Sequence, residues 1–196
     1  MMECAGIIAA LLLSYLLGSV PTGLWVGLRM RHIDIREHGS RNIGATNTMR
    51  VLGKPLGAVA LAGDMAKGLL PVLLSPIFSP WPHLPLACGL AAILGHSFSV
   101  FLKFRGGKGV ATSTGVFLAL APMPTLIAAV VFGAVVAATR MVSAGSIAAA
   151  FAMSIAVFCV PLSTPIRVMT LLVAALVVFK HRGNIARILR GEENRI

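Results

Sequence analysis

The chain has 196 residues, of which 57% are hydrophobic and 12% charged; its mean hydropathy is +0.90 and its net charge +11. A soluble domain of this length exposes far more charge, so the solvent for most of this chain is lipid. The excess of cations fits the positive-inside bias of membrane proteins and an attraction for anionic lipid or substrate, and with aromatic residues at 6% nucleic acid is not an expected partner.

In chain order, the first apolar stretch covers residues 5–28. Glu3 stands where a secretory signal carries basic residues, so this stretch is expected to be a retained span. A polar segment follows, with the string Gly39-Ser40-Arg41-Asn42-Ile43-Gly44-Ala45-Thr46-Asn47 and then Arg50. Backbone N–H groups, small hydroxyls, amides and a planar cation suit an oxyanion, with Ser40, Asn42, Gly44, Thr46, Asn47 and Arg50 as candidate ligands. The same residue types also make an ordinary capped loop, so both readings stand.

The second stretch, 55–78, holds Asp64 and Lys67. Three positions apart on a helix they share a face. Charge inside a membrane marks either function or an ion pair that locks helices together, and Lys67 is kept as a candidate substrate ligand. Gly57, Gly63 and Gly68 on the same element predict close helix contact. The third stretch, 84–98, carries His96 near its end, as a base beside reacting groups or as a structural hydrogen bonder. Next comes Phe104-Arg105-Gly106-Gly107-Lys108-Gly109-Val110-Ala111-Thr112. Here Gly106, Gly107, Lys108 and Gly109 open an apolar helix, so a helix N-terminus, unobstructed backbone and a lysine coincide, all favourable to anions. Gly109 stands where a Walker A loop needs Ser or Thr, which excludes that motif.

The remaining stretches are 109–121, 124–139, 143–160 and 165–181. Pro122 and Pro124 separate the fourth from the fifth, and both look short for a crossing of about 30 Å. Charge placement decides between one kinked span and two. With seven spans and the N-terminus outside, Arg29, Arg31, Arg36, Arg41, Arg50, Lys54, Lys103, Arg105, Lys108, Arg140 and the tail cations all fall inside, leaving Arg167 at an outer edge. The predicted fold is therefore an all-α membrane protein of seven transmembrane helices, the fourth and fifth short, N-terminus outside and C-terminus cytoplasmic, forming a single domain over 1–196. Ser143 and Ser146 begin the sixth span, as helix caps or anion ligands. His181 and Asn184 share a face if the seventh helix continues that far. This topology puts both strings and the segment His181–Asn184 on the cytoplasmic side, where they are expected to form one site.

Several chemistries are missing. Glu37, five places after His32, stands where a His-x-x-x-x-Asp acyltransferase motif needs Asp, and no G-x-S-x-G elbow is present. Cys4, Cys88 and Cys159 are odd in number and sit in apolar surroundings, and no metal-ligand spacing appears, so neither a metal nor a cofactor is expected. The residues alone leave an enzyme acting on phosphorylated substrates and a small membrane transporter of phosphate or an organophosphate. Polar motifs gathered on one face favour the enzyme.

Ser14-Tyr15-Leu16-Leu17-Gly18-Ser19-Val20-Pro21, Asp34-Ile35-Arg36, the first string with Arg50, then Asp64, Lys67, Gly68 and Pro71, Gly95-His96-Ser97-Phe98, the second string, and His181-Arg182-Gly183-Asn184-Ile185 form an ordered set along nearly the whole chain. This set resembles the PlsY family of bacterial acyl-phosphate:glycerol-3-phosphate acyltransferases. The resemblance implies a seven-helix enzyme of the bacterial inner membrane with its site facing the cytoplasm. It implies acyl transfer from acyl phosphate to the sn-1 hydroxyl of glycerol 3-phosphate, giving lysophosphatidic acid and inorganic phosphate, with a soluble acyltransferase supplying the acyl phosphate. It matches Ser40, Arg50, Lys108, His181 and Asn184 to substrate-phosphate and polar-pocket positions, with Ser146, or the nearby Ser143, among them. It matches His96 to a histidine beside the reacting groups. Arg41 departs from the glycine that many members carry there.

Overall fold

Within lipid, backbone N–H and C=O groups must be satisfied internally, and a helix does this inside one segment. The computed structural model describes residues 2–196, and regular structure among them is helical throughout. The helices are α1 (Met2–Ser19), α2 (Thr22–Arg31), α3 (Ala45–Leu52), α4 (Lys54–Leu74), α5 (Leu84–Ser97), α6 (Val110–Leu120), α7 (Pro122–Thr139), α8 (Val142–Ala156), α9 (Thr164–Lys180) and α10 (Arg182–Leu189). Short 3-10 turns, Ser75–Ile77 and Val100–Leu102, follow α4 and α5. Leu12, Leu13, Leu73, Val130, Ile155 and Leu172 lie exposed on helix faces, the arrangement expected where the surrounding solvent is acyl chain.

The chain divides into two compact units, one ending at Leu120 and one running from Ala121 to Ile196. In the first, α4 packs against α1, α2, α3, α5 and α6, and α1 lies along α5. Small residues let the backbones approach. A Cβ on Gly68 would strike the carbonyl of Thr112 in α6, and one on Gly57 would strike Met49 in α3. Gly63 faces Thr22. The expected close contacts of these glycines are thus present, each with a different neighbour. In the second unit α8 packs between α7 and α9, and α10 turns back from the end of α9.

Three segments are individually long and apolar enough to cross a membrane: 54–77, 84–102 and 122–139. Two bent pairs, α1 with α2 and α9 with α10, reach that standard together, and α6 and α8 are shorter apolar helices. Four local differences from the sequence expectation have physical causes. The first stretch bends by 48° between α1 and α2. Pro21 has no N–H to continue the helical ladder. The carbonyls at the break are taken by distant side chains: Ser99 Oγ donates to Ser19 O at 2.5 Å and Lys67 Nζ to Val20 O at 2.6 Å.

The polar segment after α2 contains a helix, α3, which buries Asn47 and Thr48. The fifth stretch is not short. Pro122 and Pro124 lie in the first turn of α7, where a missing N–H costs little, so the 18-residue helix starts at Pro122 and the break falls on Ala121. The shorter apolar helices are α6, with 11 residues, and α8, with 15. Finally, the seventh helix does not run straight through His181; α9 and α10 meet there at 56°.

Candidate active site

The first string is held by its own amides. Asn47, on α3 and 1% exposed, accepts the Ser40 N–H through Oδ1 at 2.8 Å. Its Nδ2 donates to the carbonyls of Ile35 at 2.8 Å and His38 at 3.2 Å. Asn42 Oδ1 accepts the Gly44 N–H at 2.9 Å. Asn42 and Asn47, expected among the oxyanion ligands, therefore serve the loop itself, and they occupy the N–H groups of Ser40 and Gly44. Gly44 is the N-cap of α3, and Thr48 Oγ1 donates to its carbonyl at 3.2 Å. Ser40 and Arg50 stay exposed and Thr46 half-buried. Arg41 adopts φ +58°, a left-handed conformation that favours glycine. Just upstream, Arg36 grips Asp34 through Nε at 2.9 Å, and this hydrogen bond holds the Asp34 carboxyl below its usual range despite partial burial.

The second string folds back onto the end of α5. Gly107 N donates to His96 O at 3.0 Å. A Cβ on Gly106 would strike that same carbonyl, and a Cβ on Gly107 would strike His96 Nε2. Glycine is required at both places by this close approach. Gly109 then takes φ +81°, and its carbonyl accepts the Ser113 N–H at 2.7 Å as α6 begins. Lys108 lies half-buried between these glycines. The two strings stand at the same end of the first unit: Leu24, Ile35 and Ile43 form a buried cluster, and Leu102, just before the second string, packs against it with Val51 and Leu52.

His96 is 4% exposed and links the string to the intramembrane charges. Its Nδ1 lies 3.9 Å from Asp64 Oδ1, and Lys67 Nζ lies 2.8 Å from the same oxygen. Lys67 also caps Val20 O, so both of these partners of its ammonium belong to the protein. Of the two readings open for Asp64 and Lys67, this geometry is that of a structural pair tying α4 to the break between α1 and α2. Lys67 is accordingly not carried forward as a substrate ligand.

The second unit gathers the other candidates around a carboxylate the sequence reading did not single out. Glu193 Oε1 accepts from Asn184 Nδ2 at 2.6 Å and from Ser143 Oγ at 2.8 Å, while Arg187 Nε donates to Oε2 at 2.8 Å. Burial raises the carboxyl's pKa, but these three hydrogen bonds outweigh it and hold the group ionised below its usual range. Its scarcity was the available signal: only six acidic residues occur in a chain of net charge +11, so an acid in the basic tail is informative. Ser146 turns back onto its own helix, donating to Val142 O at 2.9 Å. His181, 2% exposed, sits at the bend with Nδ1 2.8 Å from Val177 O. If Nδ1 carries the proton, Nε2 is an acceptor.

A family model described as glycerol-3-phosphate acyltransferase matches residues 8–191. The chain is 50% identical over 182 residues to the glycerol-3-phosphate acyltransferase of Trichlorobacter lovleyi, covering 93% of each chain. It is 46% identical over 194 residues to that of Desulforudis audaxviator, covering 99% of this chain and 98% of the other. Among solved structures, the crystal structure of PlsY (YgiH), an integral membrane glycerol 3-phosphate acyltransferase, in its glycerol 3-phosphate form superposes with a TM-score of 0.91 at 35% identity, covering 97% of this chain and 95% of that one. The lysophosphatidic acid form gives 0.89 at 34% identity. The superposed helices and the matched length agree, and this chain belongs to the glycerol-3-phosphate acyltransferase family as an all-α, multi-pass membrane protein.

Proposed function

We propose that this glycerol-3-phosphate acyltransferase takes its acyl group from acyl phosphate and works at the cytoplasmic face of the bacterial inner membrane. The sn-1 hydroxyl oxygen of glycerol 3-phosphate attacks the acyl carbonyl carbon. The carbon–oxygen bond to phosphate breaks, the hydroxyl proton passes to a phosphate oxygen of the donor, and lysophosphatidic acid and inorganic phosphate leave. Phosphate is a weakly basic leaving group, so orientation and charge stabilisation suffice, without an acyl-enzyme. The observation that carries this reading is the fold-back of Gly106 and Gly107 onto His96, which sets Lys108 among backbone N–H groups at the start of α6. Lys108 stabilises the donor's phosphate, and Ser40, Thr46 and Arg50 bind phosphate at the first string. His96, sheltered beneath Gly107, supports the string in this reading. His181, Asn184, Ser143 and Ser146 of the second unit are assigned to the same reaction.

The matched residues 8–191 run through most of both units, which supports one functional domain. The charge distribution supports seven crossings with the N-terminus outside and the C-terminus inside. A soluble acyl-phosphate-producing acyltransferase would supply the donor. Transport of phosphate or an organophosphate is not favoured: among the described residues, the charges deep in α4 pair with each other. The test incubates purified protein with palmitoyl phosphate and labelled glycerol 3-phosphate. Labelled lysophosphatidic acid is expected; vesicle uptake of the label without acylation overturns the proposal. A cytoplasm-dependent reporter fused after Ile196 is expected to be active, and activity of a periplasm-dependent one overturns the orientation.

A further inference from the structure

One patch of the first unit mixes exposed rings with cations. Trp25, Arg29 and Arg31 are exposed on α2, and Phe101, Lys103, Phe104 and Arg105 after α5. The stretches 22–33 and 98–105 that carry them contain no Asp or Glu. They meet through their rings: the centroids of Trp25 and Phe101 lie 5.8 Å apart, and the Arg29 guanidinium lies 5.6 Å from the Trp25 centroid.

The tip of this patch is strained and yet pinned. Lys103 has φ +51° and Phe104 φ +62°, left-handed conformations that are costly for residues with side chains. The turn is held by backbone: Phe104 N donates to Ser99 O at 2.8 Å and Arg105 N to Leu102 O at 3.0 Å. Ser99 is itself fastened to Ser19 O, and Leu102 packs on the buried cluster of Leu24, Ile35 and Ile43. Phe104 is thus held outward, 61% exposed, with a cation on either side of it in the chain. Strain that keeps a large apolar side chain out of the core points to a contact outside the fold.

The segment 84–102 is long and apolar enough to cross a membrane, and Lys103 follows it directly. The tip therefore falls where acyl chains give way to headgroups. Aromatic rings suit that boundary, and cations beside them meet lipid phosphate. The absence of acids makes the patch complementary to an anionic surface, and its continuity with a crossing segment selects lipid over a soluble protein.

We propose that Trp25, Phe101 and Phe104, with Arg29, Lys103 and Arg105, form a docking surface for anionic phospholipid headgroups. Gly106 follows Arg105, so lipid held there fixes at the membrane boundary the turn from which the second glycine string begins. This goes beyond the acyl-transfer reading and does not depend on the identity of the donor.

The experiment reads Trp25 by fluorescence. The chain has two tryptophans, so Trp81→Phe leaves Trp25 alone. The protein is reconstituted in phosphatidylcholine vesicles that hold equal amounts of either brominated phosphatidylglycerol or brominated phosphatidylcholine, each brominated at the same acyl position. Both lipids are expected to quench Trp25, with phosphatidylglycerol favoured about fivefold or more in relative affinity. High salt and the triple variant Arg29→Gln, Lys103→Gln, Arg105→Gln are each expected to reduce that preference. Trp81, read in a Trp25→Phe chain, is the internal control. It lies between α4 and α5, where residues 68–102 hold no Lys or Arg, and is expected to be quenched equally by both lipids. The salt titration reads the unaltered patch, so a variant that fails to fold does not remove the test. No quenching of Trp25 by either lipid overturns the proposal and leaves a soluble protein as the occupant. Quenching without headgroup preference, an equal preference at Trp81, or a preference that survives high salt and the triple variant overturns it as well.

Discussion

The two glycine strings look alike in composition and are built differently. The first is closed by side chains: Asn47 and Asn42 reach inward and satisfy the loop's own backbone. The second is closed by backbone: Gly106 and Gly107 lie against His96, and side-chain bulk is what the arrangement cannot accept. The first loop's amides are thus its framework, and Ser40 and Arg50 are left at its surface. In the second loop the glycines are the framework, and Lys108 lies half-buried between them. Residue type alone does not say which member of a polar motif binds and which one builds.

This contrast is broken most directly at Lys108. Lys108→Ala is expected to lower kcat/KM by roughly 100-fold or more while membrane insertion and thermal stability in detergent stay near wild type. Near-normal turnover removes Lys108 from the site. Gly107→Ala is expected to cost about tenfold or more in turnover, because the new methyl group displaces the string from His96. The assay is steady-state kinetics on purified protein, and wild-type rates would show that the close approach is not needed.

Asn47→Ala sharpens the other side of the contrast. It strands the Ser40 N–H and two carbonyls, one buried, and is expected to lower stability by about 2 kcal/mol. A normal melting temperature combined with weakened substrate binding would make Asn47 a ligand after all. The smallest effect is expected at Arg41, whose φ of +58° is strained for a side chain. Arg41→Gly relieves that strain at some cost in chain entropy and is expected to stabilise by at most about 1 kcal/mol. A clear loss of stability in thermal unfolding would show that the arginine side chain holds the loop.

Much of the architecture was legible beforehand, and the misses are specific. Pro122 and Pro124 were recognised as a break, but prolines fit the first turn of a helix, so the fifth segment lost two residues it in fact contains. Pro21 sits inside an unbroken apolar run, where hydropathy hides the bend it makes. The amphipathic helix α3 was hidden by its loop-like composition. His96 lies a few residues ahead of the second string, and the structure folds the string back onto it. Glu193 was missed because it lies beyond the last motif, with its hydroxyl partner 50 residues away.

The sequence by itself determined that this is a membrane protein, where its apolar segments lie, and to which acyltransferase family its ordered motifs point. Those properties are sums over local windows: transfer into lipid depends on the residues of a segment and hardly on their partners. Only the tertiary structure decided that Lys67 caps Val20 and pairs with Asp64, that Asn47 ties its own loop together, and that Glu193 collects Ser143, Asn184 and Arg187. A buried polar group takes whichever partner the packing brings within about 3 Å, and packing joins residues far apart in the chain. Lys67 and Val20 are 47 positions apart, a separation at which local pattern carries no information about who meets whom.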